Sequence, residues 1–318
     1  MLHKVARVAE SQPTTGAEPE FQMSPSSTLA AGMTVEQAFG AIVGDGLAQL
    51  QRHAKGVRGG VDPESVHQMR ISLRRLHLVL RLFGRWIAVP PNLLAELGWL
   101  RVRLGTARDA DVLADGTLAS LVATCPPEEG LAALQEAAAA HAQAMRTLAA
   151  VAVKSARCAR LMRDLTAWLQ AAPWQAVPDD ALQQTLRQPI GPRAARMLRR
   201  RHERLVEIGD QLHPDRAEER HRLRIAAKKL RYATEFFLPL QPARQVRRRL
   251  RRLGALQDLL GGLNDAAVAD LLLRDLALRE PALAGSASFA RGYLCAATVQ
   301  DLPGLVLRWR RFVAAGAP

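Results

Sequence analysis

Hydrophobic positions recur every three or four residues through most of this chain, which is the period of an amphipathic helix. In residues 67–86, Met69, Leu76, Leu80 and Phe83 gather on one side when successive residues are placed about 100° apart. Alternating β-branched runs are missing, and Ala, Leu, Arg and Gln, which favour helices, dominate the composition. The pattern therefore predicts an all-α protein.

Proline and glycine divide this pattern into segments joined by short connections. Asp62 is a candidate N-cap, and Pro63 suits the first turn of the helix that follows it. The Ala-rich stretch 128–171 predicts one long helix or two, and the last stretch predicts one or two helices interrupted near Pro303. Helices are predicted over about 34–58, 63–88, 92–115, 128–171, 193–212, 216–238, 243–277 and 281–314.

The chain contains one motif twice, about half its length apart. Residues 67–83 read HQMRISLRRLHLVLRLF, and residues 221–237 read HRLRIAAKKLRYATEFF. Downstream, LRVRLGTARDADV matches LQDLLGGLNDAAV. The duplication predicts two antiparallel helical bundles of four to five helices each, related by an approximate two-fold axis. The predicted division is a tail (1–32), a first bundle (33–172), a linker (173–192) and a second bundle (193–315).

A basic stripe lies opposite the apolar face of both motif helices. A charge run of this kind is usually a solvated helix face, but Glu235 is almost the only acid here that could pair within the stripe. Like charges one turn apart repel, and the stripe recurs in the second copy, so we expect an anionic ligand. The stripe contains His67, Arg70, Arg74, His77 and Arg81 in the first copy, and His221, Arg224, Lys228 and Arg231 in the second.

Neighbouring segments add positive charge. The formal net charge is +14, and nearly all of the excess lies after residue 180. Arginine forks suit phosphate oxygens, and aromatic residues, which single-strand binders use for stacking, make up only 4% of the chain. The pattern favours a polyanion without bases over a nucleic acid. The added candidates are Arg196, Arg200 and Arg204 on one helix, and Arg248 and Arg252 on a later one.

Metal chemistry and catalysis are disfavoured. His67 and His77 lack the i,i+4 spacing of helical zinc sites, and cations surround both. Of Asp109 and Asp111, only Asp109 has a counterpart, Asp265, so we predict salt bridges to arginines on adjacent helices. The phosphate-loop motif GxxxxGK[ST] and the zinc motif HExxH are absent. We therefore expect a non-enzymatic protein without cofactor or metal, and a phosphohydrolase stays a weaker alternative.

The sequence also predicts a cytoplasmic protein. The amino terminus lacks the apolar core of a signal peptide, and no uninterrupted apolar run reaches 18 residues. The three cysteines are few, odd in number and widely spaced, which is typical of reduced residues. No membrane association is expected.

With its paired motifs, the chain resembles the CHAD domain family, named for conserved histidines in an α-helical domain. The resemblance covers roughly residues 34–314 and implies two pseudo-symmetric four-helix bundles around a basic central cavity. It also implies binding of inorganic polyphosphate, with sulfate or phosphate as possible occupants, and localisation to polyphosphate granules. The chain has no ExExK motif for the triphosphate-hydrolysing domain that some members carry, so it resembles a stand-alone member.

The resemblance also implies ligand-binding residues at the matching positions. Two departures from the repeat are expected to make the two walls of the cavity unequal: Glu235 stands where Arg81 would recur, and Asn264 where Arg108 would. Nucleic acid stays a less favoured partner. The implied set is His67, Arg70, Arg74, Arg75 and Arg81 in the first copy, and His221, Arg224, Lys228, Lys229 and Arg231 in the second, with Arg101 and Arg108 of the third helix as additional candidates.

Overall fold

The computed structural model describes residues 29–314 and residue 316. The predicted tail therefore lies outside the described residues up to residue 28. Over the described part the chain forms helices and turns, with an isolated β-bridge between Thr34 and Pro189, so the all-α prediction is confirmed. The helices are α1 (Val35–Val57), α2 (Pro63–Phe83), α3 (Pro91–Asp111), α4 (Ala119–Thr124), α5 (Leu131–Lys154), α6 (Ala156–Ala171), α7 (Asp180–Leu186), α8 (Ile190–Asp210), α9 (Ala217–Phe236), α10 (Ala243–Arg279) and α11 (Ala284–Val313).

Local sequence sets where these helices begin. The Asp62 carboxylate accepts hydrogen bonds from the backbone N–H groups of Glu64 and Ser65, and Pro63 occupies the first turn of α2, as predicted. Ser155 has an extended backbone and caps α6, so the Ala-rich stretch 128–171 contains two helices rather than one. A π-helical segment, Val112–Leu118, joins α3 to α4 and keeps their path continuous.

The predicted interruption near Pro303 is wrong. Helix α11 runs without a break from Ala284 to Val313 and contains Pro303. A proline in a helix removes one backbone hydrogen bond, at a cost that packing on both sides can offset. Ala287 and Ala290 are buried before the proline, and Leu305 and Phe312 are buried after it.

The two halves pair their helices in the same order. In the first half α1 packs on α2, α2 on α3, and α3 on α5; in the second, α8 packs on α9, α9 on α10, and α10 on α11. The two motif helices, α2 and α9, also contact each other. A two-fold axis relating the halves stays a prediction.

The buried side chains form three clusters, and two of them contain residues of both halves. The largest lies among α1, α2, α3, α5 and α6; it also includes Trp174 and Leu186 from the predicted linker, and residues of α8 and α9 such as Leu198 and Phe236. The second-half core lies among α8 to α11. In the third cluster, the C-terminal part of α10 and the start of α11 pack on α5 and the π-helical segment. The two shared clusters mean that the halves are packed as one body.

No helix within the described ranges combines the length and apolar character needed to cross a membrane.

Candidate functional site

The basic stripe of α2 runs along the side of the helix opposite its core-facing residues, and Arg74 of the stripe contacts Tyr232 of α9. Met69, Leu76, Leu80 and Phe83 are fully buried on the opposite side, as the hydrophobic pattern predicts. Arg70, Arg74 and His77 are partly buried, and Arg81 is exposed. Because each residue adds about 1.5 Å along a helix, the stripe from Arg70 to Arg81 extends over about 16 Å.

The central part of this stripe is an ion-pair cluster built in the same way by both halves. Arg70 Nη2 of α2 lies 3.6 Å from Asp109 Oδ1 of α3, and Arg224 Nη2 of α9 lies 3.8 Å from Asp265 Oδ1 of α10. The predicted salt bridges to arginines on adjacent helices are therefore confirmed. We call this group the central cluster; it contains Arg70, Arg74, Arg108 and Arg224 with Asp109 and Asp265.

The charges of the central cluster act strongly on one another. Burial lowers the pKa of Arg70, and the neighbouring Arg74, Arg224 and Arg108 lower it further against the attraction of Asp109. Burial also raises the pKa of Asp109; Arg70 opposes this shift, and the carboxylate of Asp265 adds to it. The cluster thus contains more cations than carboxylates in a partly buried setting.

The other aspartate of the Asp-x-Asp sequence has a separate, structural role. Asp111 is buried and accepts a hydrogen bond from Arg146 of α5. Burial raises the pKa of the Asp111 carboxyl group, and the hydrogen bond from Arg146 opposes that rise. Within the described part of the chain, His, Cys, Asp and Glu side chains form no group of three or more that could hold a metal ion.

A second group of cations lies further along the stripe, where helices of both halves meet. Burial lowers the pKa of His77, and so do Arg81, Arg101 and Lys229. Burial likewise lowers the pKa of Lys229, together with Arg201, Arg81 and Arg204. We call this group the cation cluster; it contains His77, Arg81, Arg101, Arg201, Arg204 and Lys229, from α2, α3, α8 and α9.

Few hydrogen bonds or ion pairs offset the repulsion in the cation cluster. Arg81 Nε donates a hydrogen bond to His77 Nε2 at 3.1 Å, which places a neutral imidazole beside the guanidinium. At the surface, Arg204 pairs with Glu207 at 2.6 Å, and both side chains are exposed. No carboxylate contributes to the pKa shifts of His77 or Lys229 among the described residues.

The contacts of Glu235, the first departure from the repeat, explain why a glutamate stands at this position. Its carboxylate accepts a hydrogen bond from Arg75 of α2 and another from Arg231 of α9, both at 2.9 Å. Its side chain is only 5% exposed, and Arg231 also donates to Gln257 of α10 at 3.0 Å. Arg75 and Arg231, which the resemblance assigns to ligand binding, are thus hydrogen-bonded within the contact between the two motif helices.

Aromatic rings complete that contact. The Arg74 guanidinium carbon lies 5.1 Å from the centre of the Tyr232 ring, and that of Arg75 lies 5.3 Å from the Phe236 ring. Phe83 and Phe237, which occupy equivalent positions in the two copies, pack with ring centres 6.4 Å apart. The arginines of α2 are therefore oriented by side chains of α9.

The two motif histidines have different surroundings. His67 is buried, with 3% of its surface exposed, whereas His221 is exposed on α9. His221 Nδ1 lies 3.0 Å from Asn264 Oδ1, and Asn264 Nδ2 donates to Asp265 Oδ1 at 3.4 Å. Asn264, the second departure from the repeat, thus connects His221 to the central cluster.

Helix α8 extends the basic surface beyond the cation cluster. Its arginines line two grooves, of about 250 Å³ and 540 Å³, which share Arg201 and Arg204. The smaller groove has an apolar floor that includes Trp86, and the larger one reaches Lys229 of α9. The predicted Arg196, Arg200 and Arg204 are exposed on α8, and all three line the smaller groove.

Sequence reasoning missed Arg201 of α8. Arg201 is partly buried, and its i,i+3 spacing from Arg204 is the signal that could have identified it. Arg248 is exposed and Arg252 partly buried on α10, and neither takes part in the interactions that define the two clusters. Lys228 is partly buried one turn after Arg224 on α9.

The fold and this site define an all-α protein of two like halves that carries concentrated positive charge where the halves meet. The chain belongs to the CHAD domain family, whose model matches residues 41–274. No curated protein matches the chain.

Two solved structures are similar to this one. The crystal structure of the CHAD domain from the plant Ricinus communis is 36% identical, with a TM-score of 0.79 over 89% of this chain and 93% of that chain. PptA from Streptomyces chartreusis is 16% identical, with a TM-score of 0.60 over 89% of this chain and 100% of that chain. At that identity, the likeness to PptA shows the fold alone.

Proposed function

We propose that this protein binds inorganic polyphosphate through the cation cluster and the adjoining central cluster. The observation that carries the proposal is the position of Lys229, an exposed residue of α9 that lines the larger groove together with Arg201 and Arg204 of α8. Partial desolvation and the nearby Arg201, Arg81 and Arg204 lower the pKa of Lys229, which agrees with this crowding of cations. Cations held together in this way repel one another, so the folded protein gains stability when an anion lies between them. A chain of phosphates supplies closely spaced negative charges that several cations can bind at once.

The composition of the surface supports polyphosphate over nucleic acid. Single-strand binders stack bases on exposed aromatic rings. Among the described residues, the large exposed hydrophobic side chains include one aromatic, Tyr293 of α11, which is outside both clusters. Trp86 lines the smaller groove but is only 9% exposed, with Arg85 and Arg193 over its ring. The association of CHAD domains with polyphosphate agrees with this choice.

The protein is proposed to bind polyphosphate without hydrolysing it, in the cytoplasm and at polyphosphate granules. The candidate residues are cations and hydrogen-bond donors, and the carboxylates near them are ion-paired with arginines. Incubation with polyphosphate and Mg²⁺ should therefore release no phosphate above background. Release of phosphate by the purified protein would favour the alternative of a phosphohydrolase.

The deciding experiment compares the double variant Arg81→Ala/Lys229→Ala with Arg247→Ala/Arg251→Ala. Both variants remove two cations, but Arg247 and Arg251 are exposed on α10, outside the two clusters. Loss of two charge-assisted contacts should weaken binding of long-chain polyphosphate about a hundredfold. The control should change affinity by less than about threefold at moderate salt, where distant charges are screened. Equal effects of the two variants would overturn the assignment of the site.

Selectivity is measured by competition with single-stranded DNA, duplex DNA and RNA at several salt concentrations. Any polyanion gives a steep salt dependence, so the comparison is made per charge. Polyphosphate should displace each nucleic acid and resist displacement by it. Equal competition per charge would favour a general polyanion binder.

A further inference from the structure

The central cluster contains two carboxylates that face the same group of cations. Asp109 comes from the first half and Asp265 from the second, and each lies beside an arginine of its own half. Their side chains are 41% and 37% exposed, so both carboxylates reach the surface of the cluster. An anionic ligand that approaches Arg70 and Arg224 therefore meets these two carboxylates at the same place.

The contacts of the two carboxylates with the arginines are loose. Their N–O distances, 3.6 Å and 3.8 Å, exceed the roughly 2.7–2.9 Å of a charge-assisted hydrogen bond. By contrast, Arg75 and Arg231 bind the buried Glu235 at 2.9 Å. The raised pKa of Asp109 agrees with this geometry, because burial and Asp265 together outweigh the attraction of its arginines. Neither carboxylate is held by its arginine as Glu235 is held.

We infer that Asp109 and Asp265 are internal counter-anions that a bound polyphosphate displaces from Arg70 and Arg224. In the free protein they reduce repulsion among the arginines of the central cluster. During binding, phosphate oxygens take their place beside the guanidinium groups, and the carboxylates then oppose the ligand. The two aspartates thereby limit affinity and make bound polyphosphate exchangeable. This inference rests on the proposed function and adds two affinity-determining residues to it.

The test is the double variant Asp109→Asn/Asp265→Asn, with long-chain sodium polyphosphate as the probe. Removal of two opposing charges should tighten binding about tenfold at low salt. It should also steepen the dependence of log affinity on log salt by about one for each carboxylate, because more cations pair with the ligand. Unchanged or weaker binding would overturn the inference and show that the aspartates serve only to position the arginines.

A matched control separates the local effect from net charge. Asp115→Asn/Asp270→Asn changes the net charge equally, but Asp115 is exposed on the π-helical segment and Asp270 pairs with Arg274 and Arg291. This control should alter affinity by less than about twofold at moderate salt. A gain equal to that of the test variant would overturn the inference in favour of a general charge effect.

Thermal unfolding adds a measurement that a purely structural role would not reproduce. The test variant should unfold at a lower temperature than wild type without ligand, yet gain more from polyphosphate, because stabilisation by a ligand follows its affinity. If the double variant does not fold, the comparison of Asp265→Asn with Asp270→Asn on the same helix decides the question. Wild-type protein that binds no polyphosphate would refute the proposed function, whereas wild-type binding without a gain in the variant refutes only this inference.

Discussion

Helices α2 and α9 carry the same motif, but the residues near its C-terminal end make different contacts in the two helices. Near the N-terminal end of the motif, Arg70 and Arg224 each lie beside an aspartate of the next long helix, at 3.6 Å and 3.8 Å. Further along, His77 and Arg81 belong to the cation cluster, whereas Arg231 and Glu235 at the equivalent positions are joined by a hydrogen bond. The copies therefore agree in the central cluster and diverge one to two turns beyond it.

The divergence shows how one substitution can change the role of neighbouring cations. Glu235 is buried, binds Arg231 of its own helix and reaches Arg75 of α2. An arginine at this position would have added to the positive charge of the surface, but the glutamate instead holds Arg75 and Arg231, two predicted ligand-binding residues, in the contact between α2 and α9. The cations of the repeated motif thus divide between the two cation-rich clusters and the contact that joins the two halves.

The largest expected effect comes from removing the carboxylate of Glu235, which α9 carries where α2 has Arg81. Glu235→Ala leaves Arg75 and Arg231 partly buried without their carboxylate, and removal of one partner from a buried ion pair costs about 3–5 kcal/mol. Urea unfolding should therefore show a loss of about 3 kcal/mol in the free energy of unfolding. Glu203→Ala is the control, because Glu203 forms an exposed pair with Arg199 at 3.9 Å and should cost less than about 1 kcal/mol. Similar losses for the two variants would contradict the structural role of Glu235.

A smaller effect is expected where the two copies agree. Arg70→Ala and Arg224→Ala should each weaken polyphosphate binding by a similar factor, and the double variant by about tenfold. This loss is smaller than that expected for Arg81→Ala/Lys229→Ala because Asp109 and Asp265 already offset part of the central charge. The measurement is a binding titration with each single variant and the double. A large difference between the two single variants would show that the copies are not equivalent even in the central cluster.

The helices and their core faces could be predicted from the sequence because hydrophobic periodicity is a local property. The pattern placed Leu76 and Phe83 in the core, and the motif spacing predicted the ion pairs of Asp109 and Asp265. Pro303 misled the prediction because packing at both ends of α11 outweighs one lost hydrogen bond.

Which cations meet could not be predicted, since that depends on how helices from distant parts of the chain cross. The sequence predicts that Arg75 belongs to the basic surface, but in the structure it lies 2.9 Å from the carboxylate of Glu235, which is far away in the sequence. His67 aligns with His221, yet only His67 is buried. The i,i+3 spacing of Arg201 and Arg204 is visible in the sequence, but their approach to Lys229 depends on how α8 packs against α9.

The smallest expected effect is a pH dependence of polyphosphate binding that His77 provides and Arg231, at the equivalent position of the second copy, does not. Burial and three surrounding cations hold the pKa of His77 below its ordinary value of 6.5 in the free protein. A bound polyanion favours the protonated imidazole and raises this pKa, so binding takes up protons and strengthens as the pH falls through and below 6.5. The equivalent position of the second copy is Arg231, which carries no imidazole and therefore adds no histidine-linked dependence.

His77→Asn should therefore remove an increase of about threefold in polyphosphate affinity between neutral and mildly acidic pH. The control is His141→Asn on α5, where the ring lies 3.3 Å from Arg279, outside both clusters. Its variant should keep the pH dependence of the wild type. Should His77→Asn keep the full pH dependence, acidification would be acting through other groups, such as Asp109, whose raised pKa also favours loss of negative charge as the pH falls. In that case His77 would contribute to the shape of the binding site but not to proton-linked binding.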